Sequence, residues 1–330
     1  MTPPQQPSSS TPAAGSVAAL GEFGLIEQVV ARLPQGPAVL LGPGDDAAVV
    51  AAQDGRVVVT TDVLVEGVHF RRDWSSAHDV GRKAAAQNLA DVAAMGAVGT
   101  ALVVGLAAPA DLPADWALGL ADGLREEADL VGASVAGGDV VSGPCVVVSV
   151  TALGTLEGRA PVTRAGARPG DLVAVAGRLG WSAAGLAVLR RGFRSPRVLV
   201  EAHRRPEPPY AAGPEAARLG ASAMCDVSDG LLADLGHVAD ASGVAVDVDP
   251  EGFELPQPFQ DAGAALGVDP LTWVLTGGED HALAATFAAG TVLPPHWRLV
   301  GQVGERAEGA PAVTVAGQAW ADGGWDHYRR

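Results

Sequence analysis

Lysine is nearly absent from this chain. Lys83 is the only one in 330 residues, so neither a G-x-x-x-x-G-K-[ST] phosphate loop nor the strand lysine of the protein-kinase pattern is available. If the protein handles nucleotides, metal ions and arginines must neutralise most of the phosphate charge. Cysteine is equally scarce: Cys145 and Cys225 stand alone, which excludes a disulfide framework, and their apolar neighbours predict reduced core thiols. Apolar runs such as Cys145–Val150 and Thr100–Pro109 fall far short of the roughly 20 residues that a membrane-spanning helix needs. Basic charge is also short. A net charge of −16 opposes nonspecific attachment to nucleic acid or anionic lipid and favours cations and metal-borne small molecules as partners. Residues 1–19, rich in Pro, Ser, Gln and Ala with no basic residue ahead of an apolar run, are predicted to be a disordered tail rather than a signal peptide, and the protein is expected in the cytoplasm.

What is present is a chain with 48% hydrophobic and 18% charged residues, enough to build two domains or one large one. Short Val-rich runs alternate with longer Ala/Leu stretches of helical period, which indicates an α/β or α+β fold. Strands are predicted at Arg56–Thr61, Ala101–Leu106, Cys145–Leu153, Leu172–Ala176, Val244–Val248, Trp273–Leu275 and Leu299–Val303. Trp116, Leu120, Leu124 and Ala128 recur after Pro113, and Leu231, Leu235, Val238 and Ser242 trace one face after Ser228 and Asp229, so both segments are predicted amphipathic helices. The Gly/Arg/Pro-rich stretch from Thr155 to Pro169 places a domain boundary near Gly158, giving domains at 20–157 and 158–330. The proline-rich segment His203–Pro214 is expected to be a semi-rigid loop.

Carboxylates gather where residues are small: Gly42-Pro43-Gly44-Asp45-Asp46-Ala47, Thr60-Thr61-Asp62, Asn88-Leu89-Ala90-Asp91, Gly137-Gly138-Asp139, Asp226-Val227-Ser228-Asp229-Gly230 and Gly277-Gly278-Glu279-Asp280. Beside glycine the backbone approaches a ligand closely, and hard oxygen donors there suit magnesium, which is commonly held by one or two carboxylates together with water and substrate phosphates. The recurrence suggests a multi-metal phosphate site. Each cluster singly is also compatible with turn chemistry or helix capping. At Ser228 and Asp229 both readings coexist, since a helix start presents free N–H groups to a phosphate. Asp91 sits among small apolar residues with Asn88 one turn earlier, which points to a buried polar purpose; a solvent-facing stripe with Lys83 and Gln87 is the alternative.

Taken in order, GPGDDAAVV at 42–50, TTDVLVEGVHF at 60–70, GRKAAAQNLADVAAMGA at 81–97, GGD at 137–139, TRAGARPGD at 163–171, DVSDGLLADLGHVADASG at 226–243 and LTGGEDHAL at 275–283 closely resemble the thiamine-monophosphate kinase family over about residues 21–328. That family shares the fold group of aminoimidazole ribonucleotide synthetase. The resemblance implies an N-terminal and a C-terminal α/β domain, and a homodimer formed through the N-terminal sheets. It further implies ATP as co-substrate, several Mg2+ ions per active site, and thiamine monophosphate as the acceptor whose phosphorylation yields thiamine diphosphate. The DGVGTK-type segment of the aminoimidazole ribonucleotide enzyme is missing, and so are the nucleophilic cysteines expected of the selenophosphate synthetase and hydrogenase-maturation relatives.

Carried over position by position, the resemblance makes Asp46, Thr60, Thr61, Asp62, Asp91, Asp139, Asp226 and Asp229 the metal set, with Asp46, Asp62 and Asp91 the most sensitive to replacement. Gly138, Asp139, Arg164 and Ser228 fall on the ATP side, and His69, Glu279 and Trp325 on the thiamine phosphate. His281 stands where a Tyr is usual. Read from local chemistry alone, His69 is equally a hydrogen-bonded strand-end histidine, Trp325 a core cover and Arg164 a solvated loop residue. Other functions consistent with acidic clusters are a metal-dependent phosphohydrolase and a noncatalytic nucleotide- or cation-binding protein.

Overall fold

A computed structural model describes residues 15–43 and 48–320. Asp46, Trp325 and most of the expected tail lie outside the described residues. The first helix, α1 (Val17–Val30), starts inside the span expected to be tail, with Ser16 accepting the Ala19 N–H as its N-cap. A short pair, β1 (Val39–Leu41) and β2 (Val49–Val50), follows.

The N-terminal layer is a four-stranded sheet ordered β3-β6-β4-β5, with β3 Val58–Val65, β4 Val98–Ala108, β5 Ser134–Ser142 and β6 Val147–Thr155. Only β4 and β5 run parallel. Alternation along β3 and β6 buries Leu64, Val148, Val150 and Ala152 against α2 (Ala77–Ala94) and α3 (Ala114–Asp129), and turns Val59, Thr61 and Val63 outward. The two helices cross closely because Gly81 and Gly123 face each other's backbones; a Cβ on Gly123 would stand 2.1 Å from the His78 carbonyl.

The C-terminal layer is a six-stranded sheet ordered β12-β9-β11-β7-β10-β8, antiparallel except at β12/β9. Its strands are β7 Leu172–Ala176, β8 Ala223–Val227, β9 Val244–Val248, β10 Ala282–Phe287, β11 Trp297–Glu305 and β12 Val313–Val315. One face packs on α4 (Trp181–Arg190), α5 (Arg197–Arg204), α7 (Leu231–Ser242), α8 (Gln257–Leu266) and α9 (Pro270–Thr276). The other packs on α6 (Ala212–Leu219) and on Ala93 and Ala94 of α2. Helix α2 therefore touches β3 and β6 of one sheet and β8 and β10 of the other. It is begun by a capping box in which the Ser76 hydroxyl accepts from Asp79 N and the Asp79 carboxylate accepts from Ser76 N.

Three local expectations change. Trp273–Leu275, expected to be a strand, is the core of α9: Asp269 accepts the Leu271 N–H, Pro270 occupies the first turn, and a three-residue buried run carries no period of its own. Within His203–Pro214, α5 ends at Arg204 and α6 starts at Ala212, so the loop is shorter than expected. Cys225 is a buried strand thiol, but Cys145 is half-exposed in the bend before β6.

Candidate active site

Between the two layers lies a cleft of about 870 Å³, within the range that holds nucleotide- or drug-sized ligands. Its floor joins elements far apart in sequence. Asp62 comes from β3, Asp91 from α2, Asp226 from the end of β8, and Ser228 and Asp229 from the turn that leads into α7. His69 and Glu279 line the same cleft. Thr60 adjoins it, its hydroxyl donating to Asp91 Oδ2 at 2.7 Å. Asn88, fully buried, turns its side-chain oxygen to the Asp62 N–H (3.0 Å) and its amide to the Ala84 carbonyl (2.9 Å), which locks β3 to α2 beside the acids.

These carboxylates crowd one another. Burial pushes Asp91 up to about 7, and the neighbouring Asp226 and Asp62 charges add to the rise. Asp62 is raised by burial and by Asp226, with His281 opposing. His281 is buried, and its Nδ1 lies 3.2 Å from Asp226 Oδ2; burial alone would favour the neutral ring, yet this bond and the surrounding acids keep it raised. Three acids that resist sharing negative charge form a donor set that a divalent cation would relieve, and every donor is a hard oxygen. Among the described residues no three His, Cys, Asp or Glu groups close on one point by themselves.

The Gly277-Gly278 pair brings Glu279 in. A Cβ on Gly278 would meet the Ser228 carbonyl at 2.1 Å, and one on Gly277 would meet the Trp273 carbonyl at 2.3 Å, so only glycine lets this turn lie against β8 and α9. Glu279 N–H then donates to Ser228 O (2.8 Å) and His281 N–H to Val227 O (3.1 Å). Asp280 turns away to accept the Ser182 N–H at the start of α4 (2.9 Å). The ring of His69 is fixed by the Val65 N–H donating to its Nδ1 at 3.0 Å, so that neutral His69 carries its proton on Nε2.

Other predicted residues stand elsewhere. Thr61 and Asp139 lie on the outward side of the N-terminal sheet: the Thr61 hydroxyl donates to Val150 O (3.0 Å), and Asp139 accepts from Val140 N (2.9 Å). Gly138 packs on Val104, where a Cβ would meet the Val104 carbonyl at 2.0 Å. Arg164 sits in an exposed loop whose carbonyl accepts from Ser242 Oγ (3.1 Å). The helix start at Ser228 and Asp229 does not present free N–H groups at 229 and 230, because Asp234 Oδ2 accepts both, at 3.0 and 3.1 Å. The supposed solvent stripe is no stripe either: Lys83 is 3% exposed, Gln87 9% and Asn88 0%.

Sequence reasoning did not place His203 in this cleft wall, noted His281 only as standing where a Tyr is usual, and did not foresee Lys83 buried behind Glu279. Lys83 Nζ donates to Glu279 Oε1 (3.1 Å) and to the His69 carbonyl (3.3 Å). Being the only lysine, and lying on a helix of small apolar residues, was the signal available for it.

Both layers carry the sequence of one protein class. Residues 44–156 match the model of the AIR synthase related protein N-terminal domain and residues 168–293 that of the C-terminal domain, so the chain belongs to the AIR synthase related proteins. Within that class it belongs to the thiamine-monophosphate kinase family. It is 52% identical over 311 residues to the thiamine-monophosphate kinase of Mycobacterium tuberculosis, covering 94% of this chain and 92% of that protein. The crystal structure of thiamine-monophosphate kinase from Stenotrophomonas maltophilia K279a superposes with a TM-score of 0.78 at 33% identity, covering 90% of this chain and 96% of that one. AaThiL complexed with AMPPCP and TMP superposes with a TM-score of 0.76 at 30% identity, covering 94% and 97%.

Proposed function

We propose that this chain transfers the γ-phosphoryl group of ATP to the phosphate of thiamine monophosphate, releasing ADP and thiamine diphosphate. The observation that carries the reading is the meeting of Asp62, Asp91 and Asp226 from both layers in one cleft, in a chain of this family. The acceptor is a phosphate monoester, already anionic at neutral pH, so no strong general base is required. The obstacle is repulsion between two phosphates, and the site answers it with oxygen donors rather than lysine. Asp62, Asp91, Asp226 and Asp229 would hold magnesium, with Asp46 outside the described residues as a further donor. When bound, magnesium supplies the positive charge that neutralises the approaching phosphates and the departing ADP.

On the acceptor side stand His69 and Glu279, beside an apolar wall that includes Phe70 and Trp74. Transfer is direct and in line, and therefore inverts configuration at phosphorus; retention would disprove it. The chain acts as a homodimer through the outer face of the β3-β6-β4-β5 sheet, a reading supported by the exposed Val59 (63%), Val63 (45%), Val103 (37%) and Val141 (51%). Among the described residues no helix is long and apolar enough to cross a membrane, and cytoplasmic work is part of this proposal.

The test is incubation with ATP, magnesium and thiamine monophosphate, with free thiamine as control acceptor, followed by chromatography of the thiamine species. Thiamine diphosphate made only from the monophosphate is expected. Phosphate release without an acceptor would instead favour a hydrolase.

A further inference from the structure

A kinase with a single lysine invites the assumption that this lysine meets phosphate, but the geometry places it elsewhere. Lys83 is 3% exposed, projects from the central helix α2, and is not among the residues that line the cleft. Its ammonium donates to Glu279 Oε1 at 3.1 Å, across 196 positions of sequence, and to the His69 carbonyl at 3.3 Å. Both partners belong to the acceptor side of the cleft. The other carboxylate oxygen of Glu279 lies 3.6 Å from His203 Nδ1, and that nitrogen is 3.1 Å from Ser182 Oγ. Burial and the Lys83 charge push His203 down to about 3, so the ring is neutral and Lys83 is the cation that faces Glu279. Burial would raise Glu279, but Lys83 overrides it and holds the carboxyl down at about 2.

The backbone here needs such a tie. Glu279 and His281 are both non-glycine residues with positive φ, 64° and 54°, a region that L side chains enter only when their surroundings hold them. Ser228 O and Val227 O hold the backbone, and Asp280 anchors the turn to α4. The Glu279 side chain is tied to the N-terminal layer by Lys83.

We propose that Lys83 is a positioning residue: from α2 it holds the Glu279 carboxylate and the His69 main chain in register at the acceptor end of the cleft, and it does not bind phosphate. The assignment of Glu279 and His69 to the acceptor rests on the kinase reading above.

The test is a double-mutant cycle in the full-length chain: wild type, Lys83→Met, Glu279→Gln and the pair, each with KM for thiamine monophosphate, KM for ATP, kcat and a melting curve. Lys83→Met is expected to raise the acceptor KM about 30-fold, as when one partner of a buried hydrogen-bonded charge pair is removed. The ATP KM should stay within about twofold, and the pair should be less impaired than the product of the two single effects, since the Glu279 share of the Lys83 effect is already lost in Glu279→Gln. A raised ATP KM, or effects that multiply in the pair, would overturn the proposal. If Lys83→Met does not fold, Lys83→Arg and Lys83→Gln replace it in the cycle; the arginine, which keeps the charge, should retain a lower acceptor KM than the glutamine, and equal values would also overturn it. Wild-type turnover decides the kinase reading separately: no thiamine diphosphate from wild type refutes that reading, and the Lys83 assignment to the acceptor falls with it.

Discussion

Replacing Asp91 by Asn should stabilise the metal-free protein while it abolishes most activity, and the two effects have one cause. Asp91 is half-buried on α2, accepts the Thr60 hydroxyl, and is pushed up to about 7 by burial and by Asp226 and Asp62. In the unfolded chain the same carboxyl titrates near 4. Below about pH 4 the group is protonated in both states and contributes nothing; between about 4 and 7 its ionisation increasingly penalises the fold; above about 7 the full penalty applies.

That interval corresponds to a ceiling of roughly 4 kcal/mol, and relaxation and water entry reduce it to about 1–3 kcal/mol. Asparagine keeps an oxygen for Thr60 and carries no charge. At pH 8 in chelator the variant should therefore melt about 2–8 °C higher than wild type, with the difference shrinking toward pH 5. Phosphoryl transfer should fall ~100-fold or more, the scale for losing one group that organises developing charge. Added magnesium and ATP should raise the melting point of wild type more than that of the variant. A variant that melts lower than wild type at pH 8 in chelator would refute the crowding argument, and one with full turnover would remove Asp91 from the ion site.

Gly278→Ala forces a Cβ to 2.1 Å from the Ser228 carbonyl, so the Glu279 turn must move; a loss of about 1–3 kcal/mol in urea titration is expected, with the acceptor KM rising, and an unchanged variant would show that the turn yields freely. Asp234→Ala strips the acceptor from the Asp229 and Gly230 N–H groups and should cost about 1–3 kcal/mol by the same assay, with Asp234→Asn recovering part of it. Asp280 is buried and burial pushes it up to about 7, so it too removes stability as pH rises from about 4 to 7; stability at pH 8 below that at pH 6 in chelator is the expected sign. Val63→Asp places like charges across the proposed two-fold sheet contact and should weaken dimerisation ~100-fold or more, read by sedimentation at several concentrations; an unaffected dimer would move the interface elsewhere.

Read by itself, the sequence determined the mixed α/β architecture, the helices α3 and α7, half of the strands (β3, β4, β6, β7, β9 and β11) and the acidic identity of the cleft floor. Those signals are local: apolar periodicity reports which face of an element is buried, and the ordered Gly-acid motifs survive as short words. Tertiary structure decided what periodicity cannot carry. Trp273–Leu275 is equally apolar as strand or helix, and only its cap and packing make it α9. Adjacent Thr60 and Thr61 look equivalent in sequence, but the pleat sends one to Asp91 and the other to the opposite face. Lys83 meets Glu279 because α2 is wedged between the two sheets. Asp62, Asp91 and Asp226 likewise become neighbours through that wedge, and their shared repulsion, the physical basis for a cation site, exists only once the chain has folded.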